Sequence, residues 1–316
     1  ALQLLALAVL AWRVGQARPA RAALLGLAFG TAWIGAAVWW LFISMHRYGQ
    51  LPAWMAAAAV LALAVALSAY LALAMALAAR WRSGSPWLDG AVFAAAWLLA
   101  EWARTAIFTG FPWAGTGYAQ VDAPLAALAP WLGVLGMGAV AAGLAALVSR
   151  PYTHPRPALA AVVVLALLAV LPRPQFSEAS AELRVTLVQT QVAQDEKFAA
   201  EHLPATLQWL ADTLQAVPLL PGQLRDFVPD YWPALQRHFD RAGQAALVGV
   251  PLGDYERGYT NSVVALAAQG AGSAAYRYDK VHLVPFGEFI PYGFRWFTTM
   301  MNIPLGDFAR GPRDEP

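Results

Sequence analysis

Long apolar runs dominate the first half of this chain, and they restrict its fold more than any other feature. They follow a shorter apolar segment at residues 1–12 and cover residues 22–45, 51–79, 88–108, 123–148 and 158–171. A helix needs about 20 predominantly apolar residues to cross the hydrocarbon core of a bilayer. Hydrophobic residues make up 59% of the sequence and charged residues only 13%, a composition typical of membrane proteins. We therefore predict a multi-pass α-helical membrane bundle over residues 1–172.

The first apolar segment is too short to span a bilayer by itself. No basic segment precedes it, as one would in a signal peptide. We interpret it as the remnant of a longer, truncated helix, which gives six predicted membrane helices in all.

Arginines are distributed unequally among the loops between these runs. The second loop contains Arg47 and the loop 109–122 contains neither lysine nor arginine, whereas the first, third and fifth loops contain Arg13, Arg18, Arg21, Arg80, Arg82, Arg150 and Arg156. Cytoplasmic loops of membrane proteins are enriched in lysine and arginine. The odd-numbered loops are therefore predicted to be cytoplasmic, and the chain from residue 173 onward is predicted to lie on the opposite side of the membrane.

From residue 183 onward the pattern changes to short apolar runs separated by turn residues. These runs predict strands over residues 183–190, 245–253, 260–268 and 273–283, with helices over 203–217 and 229–243. Strands and helices in this order indicate an α/β domain, which we assign to residues 173–316. Functional groups of such domains commonly lie in loops at the strand ends.

The composition also restricts the chemistry. A net charge of +2, with basic residues dispersed among short loops, does not favour a nucleic-acid partner. The sequence has no cysteine, so these residues hold no disulfide, no thiolate metal site and no thiol nucleophile. His46 and His282 have no partner ligands at zinc spacing, and we expect neither a metal nor a cofactor.

One polar pair stands out in the segment YRYDKVHLVPFGEFIPYGF, residues 276–294. It contains Lys280 and Glu288, although lysine is otherwise found only at Lys197. A fixed ammonium group can stabilise the oxyanion that forms when an ester carbonyl is attacked, and a neighbouring carboxylate can set its orientation. The spacing alone is equally compatible with a solvated ion pair near a strand end.

Three further features leave alternatives open. Glu101 and Arg104 lie one turn apart near the end of a membrane helix, where we favour a structural ion pair over a functional one. Residues 110–115, GFPWAG, form either a re-entrant loop against an active site or an extracytoplasmic connector. The unusually apolar segment 289–308 either packs on the α/β core or forms a lid at the membrane surface, and we favour the lid.

Four segments together resemble the bacterial apolipoprotein N-acyltransferases: SMHRYGQLP (44–52), FTGFPWAGTGYAQ (108–120), LVQTQVAQDEKF (187–198) and YDKVHLVPFGEFIP (278–291). The resemblance implies a membrane bundle with an extracytoplasmic nitrilase-like domain, an α-β-β-α sandwich. It implies an enzyme that moves a fatty acyl chain from a phospholipid to the α-amino group of the lipidated N-terminal cysteine of apolipoproteins, by way of a thioester. Its expected partners are a phospholipid donor, a diacylglyceryl-modified apolipoprotein acceptor and membrane lipid. We expect a monomer in the bacterial inner membrane, with the catalytic domain on the periplasmic side.

The resemblance also implies roles for particular residues. Lys280 matches the family's catalytic lysine, and Glu288 matches a second carboxylate close to the site. The expected substrate-binding residues are Trp113, Phe198, Asn261, Tyr278, Phe286 and Trp296.

The family's catalytic glutamate and cysteine have no counterpart in this sequence. We expect the glutamate in a segment missing between Val217 and Pro218, and the cysteine beyond Pro316, so that the nitrilase-like domain is incomplete. Two other functions stay open: a non-catalytic lipid-binding membrane protein and a membrane-tethered amidase of the nitrilase superfamily.

Overall fold

The computed structural model divides into two compact units, Ala1–Glu182 and Leu183–Pro316. The residues that it describes are 2–49, 51–107, 110–150, 152–170, 176, 178, 180, 245–254, 258–267, 276–284, 288–290, 292, 295 and 308–312. The predicted strand at 183–190 and the predicted helices at 203–217 and 229–243 lie outside the described residues. A nitrilase-like sandwich therefore stays a prediction.

The first unit consists of apolar helices close to the predicted positions. They are α1 (Leu2–Val14), α2 (Pro19–Ala37), α3 (Trp40–Ile43), α4 (Ala53–Arg80), α5 (Pro86–Ala106), α6 (Ala129–Val148) and α7 (Pro155–Val170). Among the described residues, three helical segments are long and apolar enough to cross a membrane: Pro19–Ala37, Ala53–Arg80 and Pro124–Val148. The prediction of a helical membrane part is confirmed.

Local sequence explains where several of these helices begin. Pro19 and Pro86 are the first residues of α2 and α5, positions at which proline's missing N–H is not needed by the helix. Short 3₁₀ turns, Thr116–Gln120 and Pro124–Leu128, precede α6.

The prediction of one continuous helix over residues 22–45 is wrong. Helix α2 ends at Ala37, and Val38 leaves the helical region with φ −113° and ψ 15°. A short helix, α3, and a π-helical turn over Ser44–Tyr48 follow. Val38 is fully buried in a small cluster with Ile34 and Ala64. The run also contains Gly26, Gly30 and Gly35, and glycine weakens a helix, so packing and glycine content both favour the interruption.

Small residues bring α2 and α4 into close contact. A Cβ atom on Gly26 would lie 2.6 Å from the Leu71 carbonyl oxygen, and one on Gly30 would lie 2.8 Å from Ser68 Oγ. Ser68 is fully buried and donates a 2.6 Å hydrogen bond to the Ala64 carbonyl. Membrane helices commonly pack through small residues in this way, because lipid provides no hydrophobic force between them.

In the second unit the described strands form an antiparallel sheet in the order β1 (Ala245–Asp254), β2 (Gly258–Ala267) and β3 (Arg277–Asp279). The first two agree with the predicted strands at 245–253 and 260–268. The predicted strand at 273–283 is too long, because the chain leaves the sheet after Asp279. Beyond that point the main-chain N–H and C=O groups of Val284 bond to Glu288 and not to a neighbouring strand.

Candidate functional site

Lys280 directly follows β3, and its main chain is held on both sides. Its N–H donates to the Asn261 carbonyl at 2.8 Å, and its own carbonyl accepts from the Gly311 N–H at 3.1 Å. A Cβ atom at position 311 would overlap the Asp279 carbonyl group, so only glycine permits this approach. The lysine side chain therefore starts from a fixed main-chain position.

The carboxylate of Glu288 accepts hydrogen bonds on both oxygens. Lys280 Nζ lies 2.9 Å from each of them. Asn261 Nδ2 donates to Oε1 at 2.6 Å, and the Val284 N–H donates to Oε2 at 2.7 Å. The Glu288 side chain is 13% exposed and that of Lys280 is 35% exposed, so the ammonium group is the more accessible partner of the pair.

The surroundings of Glu288 keep it ionised. Burial by itself would raise the pKa of the carboxyl group, but the hydrogen bonds from Lys280, Val284 and Asn261 and the charge of Lys280 together lower the pKa below its ordinary value. A carboxylate in this state orients the lysine and compensates its charge.

Asp279 anchors the strand that leads to Lys280. It is buried, and its Oδ1 accepts hydrogen bonds from Ser262 Oγ at 2.5 Å and from Arg277 Nε at 2.9 Å. Burial would raise the pKa of Asp279, yet these bonds and the Arg277 charge lower it. Neighbouring residues of a strand point to opposite faces, so Asp279 fixes β3 on one face while Lys280 stands on the other.

A segment late in the chain, residues 308–311, makes main-chain hydrogen bonds near Lys280 and Glu288. The Ala309 N–H donates to the Tyr259 carbonyl at 2.7 Å, and the Phe308 N–H donates to the Glu288 carbonyl at 2.8 Å. Residues 308–311 thus support the main chain on both members of the Lys280–Glu288 pair. No sequence pattern predicted this contribution.

In the first unit, a buried ion pair fixes the loop that follows α5. Arg104 Nη1 donates to the carbonyl of Phe111 at 2.6 Å and also to that of Trp113. Glu101 Oε1 accepts from the N–H and the hydroxyl of Thr116, each at 2.8 Å. Arg104 and Glu101 lie 3.8 Å apart and are both buried, so the pair holds both ends of the segment 111–116.

The same loop presents an aromatic side chain. Trp113 is half-exposed and makes edge contacts with Trp40 and Phe111, with ring centroids 5.1 and 5.3 Å apart. Trp33 Nε1 donates to the Ala114 carbonyl at 3.0 Å. The main chain around Trp113 is therefore held by side chains of α2 and α5.

Comparison with known proteins gives the same family along both units. Residues 1–147 match the family described as the apolipoprotein N-acyltransferase N-terminal domain. The apolipoprotein N-acyltransferase of Verminephrobacter eiseniae is 46% identical over 348 residues, covering 98% of this chain and 63% of that protein. That of Ralstonia nicotianae is 43% identical, covering 100% of this chain and 63% of that protein. A relative from Bordetella parapertussis is 39% identical, covering 99% of this chain and 67% of that protein.

The chain belongs to the apolipoprotein N-acyltransferase family. It spans about 63% of the length of the first two relatives.

The structure brings together some of the site residues that the family resemblance implied. Lys280, Glu288 and Asn261 are in direct contact, but the Asn261 amide bonds to the Glu288 carboxylate. Tyr278 lies on β3 opposite Val263 and is 39% exposed. The expected substrate-binding role of these residues stays a prediction.

The other predicted site residues lie outside the described part of the second unit. Trp113 belongs to the first unit, and Phe198, Phe286 and Trp296 lie outside the described residues. Most of the segment 289–308 also lies outside them.

Sequence reasoning missed the polar residues that complete the Glu101 network. Trp97 Nε1 donates to Thr116 Oγ1 at 3.0 Å, and Gln3 Nε2 donates to the Thr116 carbonyl at 2.9 Å. Gln3 and Thr116 are far apart in sequence, and only the packing of α1 against the turn at Thr116–Gln120 joins them.

Proposed function

We propose that this chain is the larger part of an apolipoprotein N-acyltransferase. The enzyme moves a fatty acyl chain from a membrane phospholipid to the α-amino group of the diacylglyceryl-modified N-terminal cysteine of an apolipoprotein. The observation that carries the proposal is the Lys280 ammonium group, held 2.9 Å from both oxygens of an ionised Glu288 in a chain of this family. Relatives named for this activity match nearly the whole chain.

The first half-reaction forms a thioester. A cysteine thiol of the enzyme attacks the ester carbonyl of the phospholipid while a carboxylate base takes the thiol proton. A carbon–sulfur bond forms, and the negative charge of the tetrahedral intermediate falls on the former carbonyl oxygen. Collapse breaks the acyl carbon–oxygen bond, and the lysophospholipid alcohol leaves with the proton from the base.

The second half-reaction transfers the acyl chain to the acceptor. The α-amine of the apolipoprotein attacks the thioester, a carbon–nitrogen bond forms and the carbon–sulfur bond breaks. The base moves one amine proton to the departing thiolate, which restores the enzyme and leaves an amide. This sequence has no cysteine, so we assign the nucleophile and its base to parts of the protein outside these 316 residues.

Lys280 is assigned to stabilise the oxyanion in both half-reactions. Its ammonium group is a compact charge fixed by Glu288 and by its main-chain bonds, so little reorganisation is needed as charge develops on the substrate. Glu288 orients the lysine, and Asn261 orients Glu288.

We place the protein as a monomer in the bacterial inner membrane, with the second unit on the periplasmic side. The arginine-bearing loops support this orientation, since such loops are usually cytoplasmic. The long apolar helices support a multi-pass membrane location.

The decisive experiment is a reconstituted transfer assay. Full-length protein is incubated with a phospholipid and a diacylated lipopeptide that carries a free α-amine, and products are followed by mass spectrometry. A triacylated lipopeptide and a lysophospholipid in equal amounts are expected. Release of free fatty acid without the amide would instead indicate a hydrolase that uses water as acceptor, and absence of both products would indicate a non-catalytic lipid-binding protein.

A further inference from the structure

A pocket lies at the arginine-bearing end of the helical unit. The carboxyl-terminal ends of α1, α4 and α6 and the beginning of α5 surround it. Its polar lining includes Arg82, Asp89, Arg150 and His154. Its walls are apolar side chains such as Val14, Phe93 and Leu147. The loop that carries Trp113 follows the opposite end of α5, so the pocket is separate from that loop.

The charges in this pocket do not cancel. Among the described residues, neither Arg82 nor Arg150 forms an ion pair with a carboxylate. Arg82 Nη1 donates to the Gly15 carbonyl at 2.5 Å, which compensates the partial negative charge at the end of α1. The pocket carboxylate, Asp89, already accepts hydrogen bonds from the N–H and the hydroxyl of Ser83, at 2.7 and 3.0 Å. The pocket lining therefore holds two guanidinium groups, that of the exposed Arg82 and that of the half-buried Arg150, and one carboxylate that is already hydrogen-bonded.

A glycine allows Arg150 to reach the pocket. A Cβ atom on Gly15 would overlap the Arg150 guanidinium group, whose Cζ would lie 3.3 Å away. Arg150 is half-buried, so its charge is directed across the end of the bundle and not fully into solvent. This placement favours an anion between Arg150 and Arg82.

The size of the pocket restricts that anion. The space open to a water-sized group is about 60 Å³, and one water requires about 10–15 Å³ by the same measure. A phosphate group with its oxygens fits this volume, whereas a whole lipid does not. The remainder of a larger ligand has to lie outside, along the apolar surfaces of the surrounding helices.

We propose that this pocket binds the phosphodiester of an anionic phospholipid from the surrounding membrane. The apolar walls and the adjoining lipid-facing helices favour a phospholipid over free phosphate. Basic pockets between membrane helices on the cytoplasmic side are known to bind such head groups. The exposed arginines Arg13 and Arg18 at the same end raise the local concentration of anionic lipid. The proposal shares no residue with the Lys280 site and does not depend on the proposed activity.

Lipid retention by the full-length protein tests the proposal. The protein is reconstituted with phosphatidylglycerol or with phosphatidylcholine, extracted in mild detergent and weighed by native mass spectrometry. The variant is Arg82→Gln/Arg150→Gln. Its matched control is Arg80→Gln/Arg156→Gln, which removes the same charge from exposed arginines outside the pocket. Retention of phosphatidylglycerol is expected to fall at least about tenfold in the pocket variant and less than about twofold in the control.

Several outcomes would overturn the proposal. Equal losses of phosphatidylglycerol retention in the two double variants would mean that the arginines act only through general surface charge. The pocket would then not be a defined binding site. Equal retention of phosphatidylcholine would remove the requirement for an anionic head group. Displacement of the lipid by millimolar inorganic phosphate would identify a site for the free anion.

If the Arg82→Gln/Arg150→Gln variant does not fold, a second variant tests the same proposal. Ser149→Asp adds a carboxylate to the pocket lining and leaves both arginines in place. Its phosphatidylglycerol retention is expected to fall severalfold, and its unfolding temperature without added lipid to fall only slightly, because the new negative charge lies at the carboxyl-terminal end of α6. Unchanged retention in Ser149→Asp would contradict the proposal.

Discussion

At the scale of single residues, hydrogen bonds hold both the main chain and the side chain of Lys280 in place. Its main chain bonds to Asn261 and Gly311, and its ammonium group bonds to Glu288. Glu288 is in turn held by Asn261 and Val284. A lysine so placed presents its charge in one direction, which is the property that stabilisation of an oxyanion needs.

Replacement of Lys280 by arginine is expected to abolish most activity without affecting the fold. Lys280→Arg keeps the charge but displaces it and spreads it over a planar group. Loss of one oxyanion donor typically costs about 100- to 1000-fold in rate. The rate of acyl-enzyme formation by the full-length protein, with phospholipid as donor, measures the effect. Formation of the acyl-enzyme at the normal rate, with an unchanged unfolding temperature, would show that Lys280 is only an ion-pair partner.

Glu288 is expected to make the stability of the protein depend on pH. Its pKa in the folded protein lies below the ordinary value of 4.5. Ionised Glu288 therefore stabilises the fold above about pH 4.5, and this contribution is lost as the pH falls through the lowered pKa of the folded state. Glu288→Gln should reduce the fall in unfolding temperature between about pH 5 and pH 3, while Asp279, whose pKa is also lowered, retains part of it.

The exposed Glu178 provides the control for that experiment. Glu178→Gln should leave the pH profile of unfolding unchanged. A Glu288→Gln profile that coincides with that of the unaltered protein would mean that the carboxylate has no stabilising partner in solution.

At the scale of elements, the apolar runs set which segments become helices, and small residues set how those helices pack. Helices α2 and α4 approach at Gly26 and Gly30. The segment 111–116 is held by Arg104 and Glu101 on α5. Elements of the first unit are thus fixed by close main-chain contacts as well as by buried apolar area.

Two glycines of the same helix provide a matched test of this packing. A Cβ on Gly26 would meet the Leu71 carbonyl at 2.6 Å and Met75 Cγ at 2.8 Å, whereas one on Gly35 would meet only Ala64 Cβ at 3.8 Å. Gly26→Ala should lower the free energy of unfolding by about 1–3 kcal/mol, because α2 and α4 have to separate. Gly35→Ala should be neutral or slightly stabilising, since alanine is the better helix former. Unfolding in mild detergent measures both, and equal effects would contradict the close approach of α2 and α4.

At the scale of the whole molecule, the arginine distribution determines the expected orientation in the membrane. Arginines follow α1 and α4, precede α7 at Arg150 and lie at the start of α7 at Arg156. The loop after α5 contains none. The positive-inside rule places the arginine-bearing end in the cytoplasm, and the chain beyond α7 on the other side.

Reporter fusions test this orientation. A reporter that is active only in the cytoplasm should be silent when fused after Glu178 and active when inserted after Ser83, in the loop between α4 and α5. The opposite pattern would reverse the predicted topology.

The sequence by itself determined where the long apolar helices of the first unit lie, apart from the end of α2. A helix is one of the few structures in which every main-chain N–H and C=O group is hydrogen-bonded within lipid. Long apolar runs are therefore expected to form helices. The strands at Ala245–Asp254 and Gly258–Ala267 were likewise evident from their apolar runs and bounding turn residues. The sequence also singled out Lys280 and Glu288 as a polar pair, but it did not predict their geometry.

Only the tertiary structure decided which distant residues meet. Asn261 contacts Glu288 because β2 and β3 pair in one register and the chain then turns back at Val284. The break at Val38 is favoured by burial against Ile34 and Ala64 as well as by the glycines of the apolar run. Such contacts depend on the packing of several elements at once, and no local pattern of residues encodes them.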